Sequence, residues 1–142
     1  METIMSDKVL YSGKTRTTGR KDGASKSADG FLDIKLPEPH PAAENLFGAA
    51  WSACYIGALE LSAQQKKVKL PESPRVDAEI DLLRGDSGFF LRARFNVQIP
   101  GIDRATAEEL TELAHQVCPY SKAVHGNIEV QTNVVEAEPV LV

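Results

Sequence analysis

The chain has 142 residues, of which 42% are hydrophobic and 25% charged, proportions that exclude a disordered chain, a collagen-like repeat and a cysteine-dense secreted scaffold. A formal net charge of -4 leaves no basic footprint for neutralising phosphates, so nucleic acid is not an expected partner. The length predicts one domain over residues 1–142.

Residues 1–8 are polar and mixed in charge, without an apolar stretch leading to a small-residue cleavage site, so no signal peptide is expected. Residues 8–18 carry Val9, Tyr11, Thr15 and Thr17 at period two, which predicts a half-buried strand. Thr18-Gly-Arg-Lys-Asp-Gly23 then reads as a turn, and residues 30–36 alternate again, giving an N-terminal β-hairpin. Pro37, Pro39 and Pro41 end it, because each removes a backbone donor and biases its predecessor away from helix.

Residues 44–65 are rich in good helix formers, with Leu46, Phe47, Ala50, Trp51, Cys54, Ala58 and Leu61 among them. Small or apolar side chains cover nearly the whole circumference, which predicts a helix buried on most sides. Its apolar run, 46–61, is shorter than the roughly 20 residues that span a bilayer and reads as core, not membrane. Residues 75–84 and 89–99, split by Gly85-Asp-Ser-Gly88, form a second hairpin. Asp103 or Thr106 can cap a helix ending at Val117, whose Ala107, Leu110, Leu113, Ala114 and Val117 share one face. Pro119 suits the first position of a new short helix over 119–124 with Cys118 as its cap, and residues 127–135 supply a last strand. That order is neither a βαβ alternation nor all-β, so the fold class is α+β.

The chain has two cysteines; with no leader expected, they point to a reducing cytoplasm, where a lasting structural bridge is not expected. Cys54, inside an apolar helix, taken alone reads as a small core hydrophobe. Cys118, at a helix N-terminus, faces free backbone N–H groups that favour its thiolate, so elementary electrostatics nominates Cys118 as the reactive thiol. A metal site would have to draw on His115 and Cys118, three residues apart, with Cys54, His40 and His125, but zinc prefers four closely spaced ligands. A cysteine–histidine hydrolase would need a base oriented by a third group, and no motif supplies one.

The strings Glu44-Asn-Leu-Phe-Gly-Ala-Ala-Trp-Ser-Ala-Cys-Tyr-Ile-Gly-Ala-Leu59 and Val117-Cys-Pro-Tyr-Ser-Lys-Ala-Val-His-Gly-Asn-Ile128 resemble the two signature helices of the organic hydroperoxide resistance (Ohr) branch of the OsmC/Ohr superfamily. The glycine-containing N-terminal turn and Pro100-Gly101-Ile-Asp-Arg104 fit as well, so the resemblance extends over nearly the whole chain. It implies an OsmC/Ohr-like fold in an intertwined homodimer and a thiol peroxidase acting on organic hydroperoxides. Cys54 would be the peroxidatic thiol, Cys118 the resolving thiol, and dihydrolipoyl groups of lipoylated proteins the reductant, with no bound cofactor. A non-catalytic redox-sensing or ligand-binding dimer is the alternative.

Burial raises a thiol's pKa, so Cys54 in this role needs a cation beside it. The resemblance supplies Arg20, held by Glu44. Lys21 is an insertion relative to the family's turn and offers a second candidate, and His125 stands where many relatives carry arginine. Glu44 and Cys54 are ten residues apart, roughly 15 Å along a continuous helix, so they cannot serve one centre on one chain. An isologous dimer, with two such helices crossing near Ala49 and Ala50, would bring Glu44 of one chain to Cys54 of the other. Leu46, Phe47, Trp51, Tyr55, Phe89 and Phe90 are candidates for an apolar substrate wall.

Overall fold

A computed structural model describes residues 7–37 and 42–136. Pro39, His40 and Pro41 lie outside the described residues. The chain divides into two compact units, Met1–Ala43 and Glu44–Val142.

In the first unit, β1 (Thr15–Thr18), β2 (Ala24–Ser27) and β3 (Asp33–Lys35) form an antiparallel meander in that order. Two differences from expectation stand out. The first strand spans four residues, not eleven, because its partner β2 ends at Ser27, paired with Thr15, and Val9 and Tyr11 are exposed. The second strand, Ala-Ser-Lys-Ser, has no apolar alternation to announce it; Ser25 is its buried residue. The β1–β2 turn requires Gly23, since a Cβ there would collide with the carbonyl oxygen of Leu36 and lie 2.9 Å from that of Thr18. Arg20 holds a left-handed backbone in this turn (φ 72°) and accepts a hydrogen bond from Gly23 N–H at 3.0 Å, a conformation that is uncommon for a residue with a Cβ.

The second unit is built on α1 (Ala42–Gln65) and a sheet of β4 (Arg75–Gly85), β5 (Gly88–Gln98) and β6 (Glu129–Val134). The β4–β5 hairpin matches the sequence expectation, with Gly85 opposite Gly88. β6 runs parallel to β5 after a crossover through α2 (Arg104–Val117) and α3 (Pro119–Val124). Ala93, Phe95 and Val97 alternate inward on β5, where Phe95 meets Trp51 and Tyr55 of α1 edge-on, with ring centroids 4.7 and 5.2 Å apart. Ala107, Leu110 and Ala114 of α2 are buried in the same core. Asp103 caps α2 by accepting from Thr106 N–H at 3.1 Å.

By length and composition α1 is long and apolar enough to cross a membrane. Its buried residues Trp51, Tyr55, Ala58 and Leu59 instead belong to the core cluster. Burial is not all-round: Ala49, Ala50, Ala53, Gly57 and Leu61 are exposed, so one small-residue stripe of the helix is open in the single chain.

Candidate active site

Cys54 lies mid-way along α1, three residues after Trp51, and Cys118 lies at the junction of α2 and α3. The core packing of α1 and α2 brings the two together: the sulfurs of Cys54 and Cys118 share a hydrogen bond across 3.4 Å. Both cysteines are free thiols, Cys54 half-buried and Cys118 buried. Sulfurs at that separation are in van der Waals contact and need a closure of little more than 1 Å to reach the bond length of a disulfide.

The start of α3 gives each sulfur one backbone donor. Pro119 occupies the first helical position, and the next two amides bear on the thiols: the Tyr120 amide favours the Cys54 thiolate, and Ser121 N–H donates to Cys118 Sγ at 3.5 Å. The expectation of amides at Cys118 is met, and the same turn also serves Cys54. Burial, the Cys118 hydrogen bond and the Cys118 charge together push the Cys54 thiol above its ordinary pKa, and the Tyr120 amide pulls the other way. A thiolate at neutral pH therefore calls for a further positive group.

Beside Cys118 lies a polar cluster, buried at Trp51 and Ser121 and half-buried at His115 and Thr132. The Trp51 indole N–H donates to Ser121 Oγ at 2.9 Å. His115 bonds the same Ser121 Oγ through Nδ1 at 2.8 Å and Thr132 Oγ1 through Nε2 at 2.8 Å. Burial pushes His115 below its ordinary pKa, which favours the neutral ring. Tyr55 is held protonated, its pKa raised first by burial and then by the Cys118 charge, and its hydroxyl donates to Thr111 O at 2.8 Å.

The catalytic candidates from the sequence fall in three places. Cys54 and Cys118 are together. Arg20 and Lys21 are exposed in the turn of the first unit, and Glu44 is in the first turn of α1, lining an open groove of about 510 Å³ with Gly48, Ser52 and residues 76–81 of β4. Of the six proposed wall residues, Leu46 and Phe47 are half-buried. Trp51 and Tyr55 are core instead, 1% and 0% exposed, because their rings pack on Phe95 and their polar ends find buried partners. Phe89 and Phe90 stand at the tip of the β4–β5 hairpin, 71% and 49% exposed. His125 caps α3 and is exposed. Among the described residues no three His, Cys, Asp or Glu side chains converge as a metal site, and both ring nitrogens of His115 are engaged by hydroxyls rather than sulfur.

Tyr120, Ser121 and His115 are site features that the sequence reading did not assign to the thiols. The start signal Cys118-Pro119 already implied two free amides at residues 120 and 121. No local pattern announces the Trp51–Ser121 bond, which joins residues 70 apart.

Comparison with known proteins shows the family and the fold. The family model described as OsmC-like protein matches residues 16–133, spanning parts of both units. An organic hydroperoxide resistance protein of Xanthomonas axonopodis pv. citri is 38% identical over 133 residues, covering 87% of this chain and 94% of its own. The crystal structure of OhrB of Bacillus subtilis superposes with a TM-score of 0.80 at 32% identity, covering 89% of this chain and 100% of that one. An organic hydroperoxide resistance protein from Elizabethkingia anophelis gives 0.83 at 35% identity, covering 92% and 100%. With a matching family model, relatives aligned over most of their length and the same fold, the chain belongs to the OsmC-like family, in its organic hydroperoxide resistance branch.

Proposed function

We propose that the protein is a thiol peroxidase that reduces organic hydroperoxides to alcohols. The observation that carries this reading is the 3.4 Å approach of Cys54 Sγ and Cys118 Sγ, contributed by helices 64 residues apart in sequence.

In the first step the Cys54 thiolate attacks the distal oxygen of the hydroperoxide. The O–O bond breaks, the alkoxide takes a proton and leaves as alcohol, and Cys54 becomes a sulfenic acid. Cys118 then attacks the sulfenic sulfur: the S–S bond forms, the S–O bond breaks, and the hydroxyl leaves as water with the Cys118 proton. A dihydrolipoyl dithiol of a lipoylated protein reopens the disulfide by exchange and is itself oxidised to the cyclic disulfide. A reducing cytoplasm, which returns such a disulfide to the dithiol, suits this cycle.

Arg20 supplies the cation that keeps Cys54 anionic and orients the peroxide, and Glu44 holds the guanidinium, which can bond a carboxylate with one edge and an oxygen or sulfur with the other. Because α1 is continuous from Ala42 to Gln65, the roughly 15 Å between Glu44 and Cys54 stands, and Glu44 reaches the centre from a second subunit. The open stripe of Ala49, Ala50, Ala53 and Gly57 supports a close helix crossing in such a homodimer. Leu46 and Phe47, with the exposed Phe89 and Phe90, offer apolar surface to the alkyl part of the substrate.

Turnover of cumene hydroperoxide with dihydrolipoamide tests the reading. Wild type is expected to cycle, Cys54→Ser to lose all turnover, and Cys118→Ser to form a trappable sulfenic acid without cycling. A wild-type protein that forms neither the sulfenic acid nor the Cys54–Cys118 disulfide with any organic hydroperoxide overturns it.

A further inference from the structure

Each redox cysteine lies three residues from a member of the polar cluster: Trp51, on α1, before Cys54; His115, on α2, before Cys118; and Ser121, on α3, after Cys118. Trp51 and Cys54, three apart on α1, share a face, and Cys118 is the extended residue that caps both α2 and α3, so bonds among Trp51, Ser121 and His115 tie together the helices that flank the two sulfurs. Ser121 is the hub. Its hydroxyl takes the Trp51 N–H and pairs with His115 Nδ1, while its own amide donates to Cys118 Sγ. Thr132 on β6 holds the far side of the imidazole, and the ring is packed against Tyr55 and Phe95, with centroids 4.5 and 5.8 Å away.

We infer that His115 is a positioning residue for disulfide closure: through Ser121 it sets the approach of Cys118 to Cys54, so that the sulfenic acid is resolved before a second hydroperoxide reaches it. The inference rests on the peroxidase reading for its biological role, but the geometry it concerns is that of the thiol pair itself. The first step, attack of Cys54 on the peroxide, forms no bond to Cys118 and requires no closure of the sulfur–sulfur gap, so the His115–Ser121 bond bears chiefly on the second step. The second step is an intramolecular attack whose rate depends on holding the reacting sulfurs near contact, where a misplacement of about 1 Å costs up to about a hundredfold. Slow closure leaves the sulfenic acid open to further oxidation to sulfinic acid.

The test uses side chains that keep one half of the imidazole. Asn at position 115 places a polar group where Nδ1 sits and retains the bond to Ser121, whereas Gln reaches the place of Nε2 and retains Thr132 alone. After one equivalent of cumene hydroperoxide, both His115→Asn and His115→Gln are expected to form sulfenic acid within about twofold of wild type. Closure to the disulfide is expected within about threefold of wild type in His115→Asn and slowed at least about tenfold in His115→Gln, with sulfinic acid accumulating under excess peroxide. Equal closure rates in the two variants, or a parallel loss of both steps, overturn the inference, since a merely structural role does not distinguish the two ends of the ring.

A second readout needs no peroxide. In dithiothreitol buffers the Gln variant is expected to favour the dithiol at least about tenfold relative to wild type, a rise in potential of about 30 mV, and the Asn variant is not. Equal potentials overturn the inference even if the protein proves not to be a peroxidase, whereas failure of wild type to form sulfenic acid defeats the peroxidase reading alone.

Discussion

At the scale of single residues the demanding feature is Cys54. Burial is the first cause that raises its pKa, and the neighbouring Cys118 adds to it, against one backbone amide that lowers it. A group whose charged form is disfavoured in this way becomes a nucleophile only above its ordinary range, unless a fixed cation offsets the burial. Arg20 adopts a left-handed backbone that few non-glycine residues accept, a kind of local strain that clusters at functional sites. In a Cys118→Ser background, Arg20→Gln is expected to move the pH of half-maximal Cys54 alkylation upward by about one unit or more, slowing alkylation at pH 7 by about tenfold. Lys21→Gln is expected to stay within about twofold. A larger shift for Lys21→Gln would assign the cation to the neighbouring position.

Among elements, α1 and β5 do most to place the site. Phe95 is wholly buried and meets Trp51, Tyr55 and His115 at once, so it joins the helix of Cys54 to the cluster beside Cys118. Phe95→Ala is expected to lower the free energy of unfolding by about 3–5 kcal/mol, read from urea melts. A loss below about 1 kcal/mol would mean that the cavity collapses and that the contact matters little. The N-terminal meander depends on backbone shape instead of on a large core. Gly23 admits no Cβ beside the carbonyls of Leu36 and Thr18, and Gly23→Ala is expected to unfold that meander while leaving the cooperative melt of the second unit in place, as monitored by amide exchange.

For the molecule as a whole, the proposed homodimer rests on the open stripe on α1 and on the ten-residue offset between Glu44 and Cys54. Wild type is expected to sediment as a dimer. Ala50→Glu, which puts a charge on the stripe, is expected to give a folded monomer with kcat/KM reduced about a hundredfold as Glu44 loses its place. A wild-type monomer with full activity would remove Glu44 from the centre. Much of this architecture is written in the sequence. The spacing of apolar residues marks α1 and α2, the Gly85–Gly88 turn sets the register of the long hairpin, and Cys118-Pro119 marks the start of α3 along with the amides that meet the thiols. These are local signals, carried by residues within a turn or two of one another. The polar strand β2 stayed hidden because Ser25 and Ser27 carry no period-two apolar pattern and their pairing is decided by the strands beside them. Only the tertiary packing decided that Trp51 and Tyr55 are buried in the core, that His115 is bonded to Ser121 beside Cys118, and that the sulfurs of residues 54 and 118 come within 3.4 Å. The reason is physical: contacts between residues 60 to 70 positions apart arise when the faces of α1, α2, α3 and β5 bury one another, and no stretch of chain contains that information by itself.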